Sequence, residues 1–288
     1  MLIHAKPYGR LGNQLFLFAN LLACAIENDL TLLCPMFGAN ADYFASWREN
    51  WLCRYPLPPR RPVSRRRREL ARRGLYRLGR IVSRFAPAGR WTGAIELAES
   101  ESFELAAPDF VWRARYQRMF LTGWMFRAEA EMIKHAAAIR ELFHPCEPFQ
   151  SEAAERVRRA RLEADVLVGM HLRRGDYRLF AGGKYFYTWE QYRAVFDRVA
   201  DLFPGRRVAF LACSDEPIPE GAFPPHRVLH EPAPFMSDLA ALAGCDYLVG
   251  PPSSFSAWAS YYGDKPLLQL NSATHEITLE GFHVATQW

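Results

Sequence analysis

From about residue 164 onward, short apolar runs alternate with amphipathic stretches. Val166–Met170, Val208–Cys213, Tyr247–Gly250 and Leu267–Leu270 each read as a buried strand. Between them, Thr188–Phe203 predicts a helix opened by a Thr188/Gln191 capping box, Ser237–Gly244 a second helix, and Ser254–Tyr262 a third stopped by Gly263. Strand and helix in alternation predict an α/β domain with a parallel sheet wrapped by helices. Ligands of such sheets bind beyond the carboxyl ends of the strands, which tells where to search for chemistry.

The first half is less regular. Leu2–Ala5 predicts a strand, Gly9 to Gln14 a glycine-rich turn, and the following apolar run a buried helix to about Asn28. Thr31–Phe37 predicts a second strand, and Tyr43–Pro62 is too rich in aromatics and proline to carry a period. From Ser64, a candidate N-cap, to Phe85 the apolar positions Leu70, Gly74, Leu78, Ile81, Val82 and Phe85 recur at threes and fours, a helical spacing. Glu129–Phe143 predicts a helix ended by Pro145 and Pro148, and Gln150–Glu163 a polar, arginine-rich one that serves as a connector near 150–164. For a chain of 288 residues this organisation predicts two domains, 1–150 and 151–288.

Composition narrows the class. Half of the residues are hydrophobic and 23% are charged, which excludes a disordered chain. The net charge of +5 is local in origin: residues 60–90 hold twelve arginines against one acid, Glu69, so the rest of the chain is net acidic. A protein that tracks a phosphate backbone spreads cations over a folded face, so no nucleic-acid partner is expected. The basic helix at 64–85 reads as a solvated face, as an interfacial helix on anionic lipid, or as an RNA grip. Six cysteines lie far apart with no zinc spacing and read as structural thiols of a reduced, cytoplasmic chain. Lys6 and Arg10 ahead of Leu15–Ile26, with Leu21-Leu22-Ala23-Cys24, imitate a secretory or lipoprotein signal, but Asn20 interrupts that run and favours a buried helix. No stretch approaches the roughly 20 apolar residues of a bilayer span.

The predicted strand ends carry the chemistry. Val166–Met170 runs into His171-Leu172-Arg173-Arg174-Gly175-Asp176-Tyr177, where two arginines beside a glycine form a cationic hook suited to a diphosphate. Arginine pairs also make structural salt bridges, and Asp176 stands ready to accept one. The next strand ends in Ser214-Asp215-Glu216 and the following one in Pro251-Pro252-Ser253-Ser254-Phe255-Ser256, whose serines fit a helix cap or a phosphate site. Asp238 opens a helix, either as a favourable N-terminal charge or as an acceptor for the paired N–H groups of guanine. No Asp-x-Asp pair occurs, which favours a mechanism with no metal cofactor, in which arginine stabilises a leaving diphosphate.

Gly9-Arg10-Leu11-Gly12-Asn13-Gln14, the His171–Tyr177 element, and the run from Asp238 through Ser253-Ser254-Phe255-Ser256 to Tyr261 resemble, in order and spacing, the α-1,2-fucosyltransferase family (glycosyltransferase family 11), within the α-1,2/α-1,6/protein O-fucosyltransferase superfamily. The matches cover about a quarter of the chain, and 43–125 matches nothing familiar. Pro252 stands where close relatives carry Asn, Glu216-Pro217 where they carry a second acid with a nearby Trp, and Ala257-Trp258-Ala259 where they carry Trp-Trp-Gly. The resemblance implies a GT-B architecture of two Rossmann-like domains facing a cleft, an acceptor-side domain at 1–150 with a basic insert near 60–90, and a nucleotide-sugar domain at 151–288. It implies inverting, metal-free transfer of L-fucose from GDP-fucose to a hydroxyl of a glycan or lipid-linked oligosaccharide. Carried over by position, Arg173 would hold the diphosphate, His171 would lie against the nucleotide, and Asp238 would read guanine. Ser253, Ser254, Phe255 and Ser256 would line the phosphate site, while Gly12 and Asn13 would reach the donor from the other domain. Asp176 is the carboxylate nearest the hook for a general base, although a salt bridge to Arg174 or a loop cap is the expected role. A transferase with another nucleotide sugar, or a non-catalytic RNA-binding module, are the alternatives, and the chain would sit in the cytoplasm or peripherally on the membrane's inner face.

Overall fold

The computed structural model describes residues 1–59, 61–85, 91–162 and 164–288. The chain divides into two compact units, Met1–Cys146 with Gln287, and Glu147–Thr286 with Trp288.

In the first unit the strands are β1 (Leu2–His4), β2 (Leu32–Leu33), β3 (Arg54–Tyr55), β4 (Thr92–Glu96), β5 (Phe103–Glu104), β6 (Arg118–Thr122) and β7 (Phe126–Arg127). The helices are α1 (Leu11–Glu27), α2 (Arg65–Phe85), α3 (Pro108–Tyr116), α4 (Glu129–Lys134) and α5 (Ala136–Leu142). Five strands form a sheet in the order β3-β2-β1-β6-β4, parallel except for β3, while β5 and β7 pair separately. α1 is the buried helix its pattern predicts, and Leu15 to Ala25 lie wholly inside. The predicted strand 31–37 is cut to two residues because Pro35, which lacks an N–H, opens a 3-10 turn over Pro35–Ala39. The predicted helix 129–143 is two helices broken at His135, whose backbone leaves the helical region at φ −102° and ψ 17°.

The second unit holds α6 (Glu147–Arg161), β8 (Val166–Leu172), α7 (Trp189–Ala200), β9 (Val208–Ser214), β10 (Arg227–Leu229), α8 (Phe235–Ala243), β11 (Tyr247–Gly250), α9 (Ser254–Gly263) and β12 (Leu267–Gln269). Pro148 stands inside the first turn of α6 and does not end the preceding helix; a first-turn proline lacks only an N–H that has no helical partner there. The expected end of that helix at Glu163 lies outside the described residues. All five strands are parallel, in the order β10-β9-β8-β11-β12. Successive β8 side chains alternate between faces. Val166, Val168, Met170 and Leu172 join Tyr192, Val195, Phe196 and Val199 of α7 in one core. Gly169 instead faces Leu242 and Cys245, at and beyond the end of α8. The Thr188/Gln191 capping box forms as predicted. α9 runs through Gly263, and the residue that stops it is Asp264 in the left-handed conformation at φ 55°.

This order has a functional corollary. The chain leaves β8 through α7 toward β9 on one side, and leaves β11 through α9 toward β12 on the other. The topological switch point therefore lies at the carboxyl ends of β8 and β11, where the connections diverge and where sheets of this kind form their ligand crevice.

Candidate active site

β8 delivers His171 and the two arginines to that crevice, and β11 delivers Ser253 and the start of α9. Gly250 makes the approach of the two strands feasible: a Cβ there would lie 2.8 Å from the carbonyl oxygen of His171.

The paired arginines do not act together, as the hook reading would have it. Arg174 is buried: Nε donates to Glu216 at 3.0 Å, Nη1 donates to the Tyr187 carbonyl at 2.5 Å, and the guanidinium lies over Trp189 and Phe186 at 4.2 and 4.6 Å. Its charge is consumed within the fold. Arg173 remains at the crevice, half-buried, with its guanidinium 4.8 Å over the Tyr177 ring and Nη1 donating to Ser253 Oγ at 3.3 Å.

Asp176 pairs with Arg173, not with Arg174 as expected. Nε and Nη2 of Arg173 donate to its two oxygens at 3.1 and 3.0 Å. The reason is local: a 3-10 turn over Asp176–Arg178 turns the carboxylate back toward residue 173, while Glu216 has already captured Arg174. Behind the turn, Asp215 Oδ1 accepts the backbone N–H groups of Arg174 and Gly175 at 2.8 and 3.2 Å. Tyr177 donates to the carbonyl of Pro252, joining the loop after β8 to the loop after β11.

His171 is buried beside Phe255, ring centroids 5.2 Å apart, and its Nδ1 has no hydrogen-bond partner among the described residues. Burial, reinforced by the Arg173 charge, lowers its pKa to about 3, so the ring is neutral at physiological pH. Ser253 Oγ caps α9 by accepting from the Phe255 N–H at 3.2 Å. The Ser256 hydroxyl is buried and donates to the Ser253 carbonyl at 3.1 Å, whereas that of Ser254, at the first position of α9, is half-exposed.

Asp238 lies in the first turn of α8, where its Oδ1 accepts from Nη1 of Arg156 at 2.8 Å. Burial raises its pKa against the pull of Arg156. Arg156, on α6, is itself buried, and its Nε lacks a partner among the described residues. Arg156 is hidden in the sequence among the other arginines of a polar helix; only its place one α-helical turn after Glu152, on the buried face with Ala153 and Ala160, distinguishes it. Asp215 shows in the sequence only as part of a strand end, since its role depends on backbone groups some 40 residues earlier in sequence.

In the first unit, the turn after β1 leads into α1. Gly9 adopts φ +62°, and a Cβ there would collide with Asn13 Nδ2. Gln14 Nε2 donates to the Gly9 carbonyl at 3.1 Å and its Oε1 accepts from Asn40 at 2.9 Å, fixing the turn. Gly12 is buried and Asn13 half-exposed in the first turn of α1. His4 at the end of β1 is fully buried, and its Nε2 lies 2.8 Å from the Gly123 carbonyl.

No family model matches this chain, and no curated protein matches it. Solved structures do. A point mutant of FUT1 from Arabidopsis thaliana in complex with GDP superposes with a TM-score of 0.60, at 15% identity over 96% of this chain and 72% of that one. The NodZ α-1,6-fucosyltransferase soaked with GDP-fucose gives 0.51, at 14% identity over 95% of this chain and 97% of that one. A NodZ structure from Bradyrhizobium also gives 0.51, at 15% identity, covering 93% of this chain and 94% of that one. The structural neighbours are fucosyltransferases, and the chain shares their GT-B-type α/β fold. Among the described residues, no helix is long and apolar enough to cross a membrane, and the six cysteines are buried and unpaired.

Proposed function

We propose that the protein is a fucosyltransferase-like glycosyltransferase that moves L-fucose from GDP-fucose to a glycan hydroxyl with inversion and without a metal. The observation that carries this reading is Arg173, held by Asp176 and Ser253 at the crevice between β8 and β11 beside the N-terminus of α9. The acceptor oxygen attacks the anomeric carbon while the bond from that carbon to the β-phosphate oxygen breaks. GDP departs with the electron pair, and the acceptor proton passes to solvent. Arg173 and the first-turn N–H groups of α9 stabilise the charge that develops on the β-phosphate. Asp176 is the positioning residue of this arrangement, because both of its oxygens are engaged in aiming Arg173. Neutral His171 and the half-buried Asp238 line the nucleotide site, and the linkage expected from the sequence motifs is α-1,2.

Calorimetry of the full chain against GDP, UDP and dTDP tests the reading. GDP is expected to bind and the other two to bind at least tenfold more weakly. Tighter binding of UDP or dTDP would assign a different donor, and no binding of any of them would overturn a nucleotide-sugar role. Fucosyl transfer is expected to persist in excess chelator.

A further inference from the structure

α2 presents an outward face that the fold leaves uncovered. Its inward side is fixed by Arg68, which is buried and bonded to Asp42 and to the Arg48 carbonyl, and by Gly79, which packs on Phe120 of β6. A helix anchored on that side turns Leu70, Gly74, Leu78 and Ile81 outward in a single row, at spacings of four, four and three residues. Leu70, Leu78 and Ile81 are 59%, 47% and 55% exposed, and a Cβ on Gly74 would meet nothing within 4 Å. Along one flank of this row runs a second, of exposed arginines at 66, 73, 77, 80 and 84. Glu69 pairs with Arg72 and Arg73, but Arg66, Arg77 and Arg80 make no ion pair among the described residues.

Leu70, Gly74, Leu78 and Ile81, which a helical pattern would normally sink into the core, thus face solvent beside the arginines. A solvated basic surface explains the arginine row and leaves the leucine and isoleucine row without a cause. A polyanion such as RNA likewise accounts for charge alone. The headgroup region of an anionic bilayer matches both rows, since it presents phosphates to guanidinium groups and acyl chains to a shallow apolar edge. We propose that the outward face of α2 docks on an anionic phospholipid surface, with Leu70, Leu78 and Ile81 inserted and the arginine row on the phosphates. The inference is independent of the transferase reading, because it rests on α2 alone.

The test is co-sedimentation of the full chain with vesicles of phosphatidylcholine, with or without 30% phosphatidylglycerol. Binding is expected at least tenfold stronger to the anionic vesicles and weaker at high salt. Leu78→Ser/Ile81→Ser and Arg77→Glu/Arg80→Glu should each lower it at least tenfold, with unchanged circular dichroism and unchanged affinity for GDP. If either pair fails to fold, Leu70→Ser and Arg77→Gln, both at exposed positions, replace it. No pelleting of the unaltered chain with anionic vesicles overturns the proposal. So does full binding by the serine variants, and if RNA oligonucleotides then compete, the face is a polyanion surface instead.

Discussion

Asp176 grips Arg173 through both of its oxygens, at 3.1 and 3.0 Å, while the adjacent Arg174 turns away into a box of Glu216, Trp189 and Phe186. Neighbours of identical chemistry therefore hold different duties, one at the crevice and one in the frame beneath it.

Replacing them should give opposite profiles. Arg173→Ala is expected to slow turnover at least a hundredfold, the loss of about 3 kcal/mol typical of one transition-state donor, with its unfolding midpoint nearly unmoved. Arg174→Ala removes a buried guanidinium from Glu216 and two rings and should lower stability by about 3 kcal/mol. Urea unfolding and initial rates on the two variants check both halves. A large rate loss in Arg174→Ala with unchanged stability would reverse the assignment.

Asp176→Asn keeps the shape of the contact and removes its charge. If Asp176 positions Arg173, turnover should fall about tenfold while the pH profile keeps its shape, since an amide still accepts one hydrogen bond. Loss of the acidic limb of the profile would instead identify Asp176 as the base.

Acid should loosen both units. Burial lowers the pKa of His171 to about 3 and that of His4 to about 4, whereas an unfolded histidine titrates near 6.5. Below pH 6.5 the unfolded chain therefore binds protons that the folded chain refuses. Stability is fully present above 6.5 and declines as the pH falls toward 4 and 3. At pH 5 the loss is about 2 kcal/mol for each histidine. Thermal unfolding between pH 7.5 and 5 should show it, and His4→Gln and His171→Gln should each flatten part of the slope.

Gly250→Ala would set a methyl group 2.8 Å from the His171 carbonyl oxygen and 3.0 Å from the His171 Cβ, against backbone that cannot swing aside. A stability loss of about 2 kcal/mol, typical of overpacking, is expected, together with weaker GDP binding in calorimetry. Unchanged values for both would mean that β8 and β11 have room to part.

Four strands of the second unit are legible because they are largely buried and run as unbroken apolar stretches, as in Val166–Met170 and Val208–Cys213, whereas the short β10, with Arg227 exposed, gives no such run. The turn chemistry at Gly9 and the capping box at Thr188 are readable because they are local. The first unit hid more. β6, beside β1 in its sheet, spans only Arg118–Thr122 and follows α3 with one residue between, too short a stretch for a period to emerge. In the site, positions were readable and partners were not. Whether Asp176 takes Arg173 or Arg174 depends on Glu216, which the fold brings from about 40 residues away.

Tyr177 ties the loop after β8 to the carbonyl of Pro252, directly ahead of the cap of α9. The two rims of the crevice are thereby stitched into one mechanical piece. Amide exchange slowed by a nucleotide on either rim should slow on the other as well, and cutting the stitch with Tyr177→Phe should let them breathe separately.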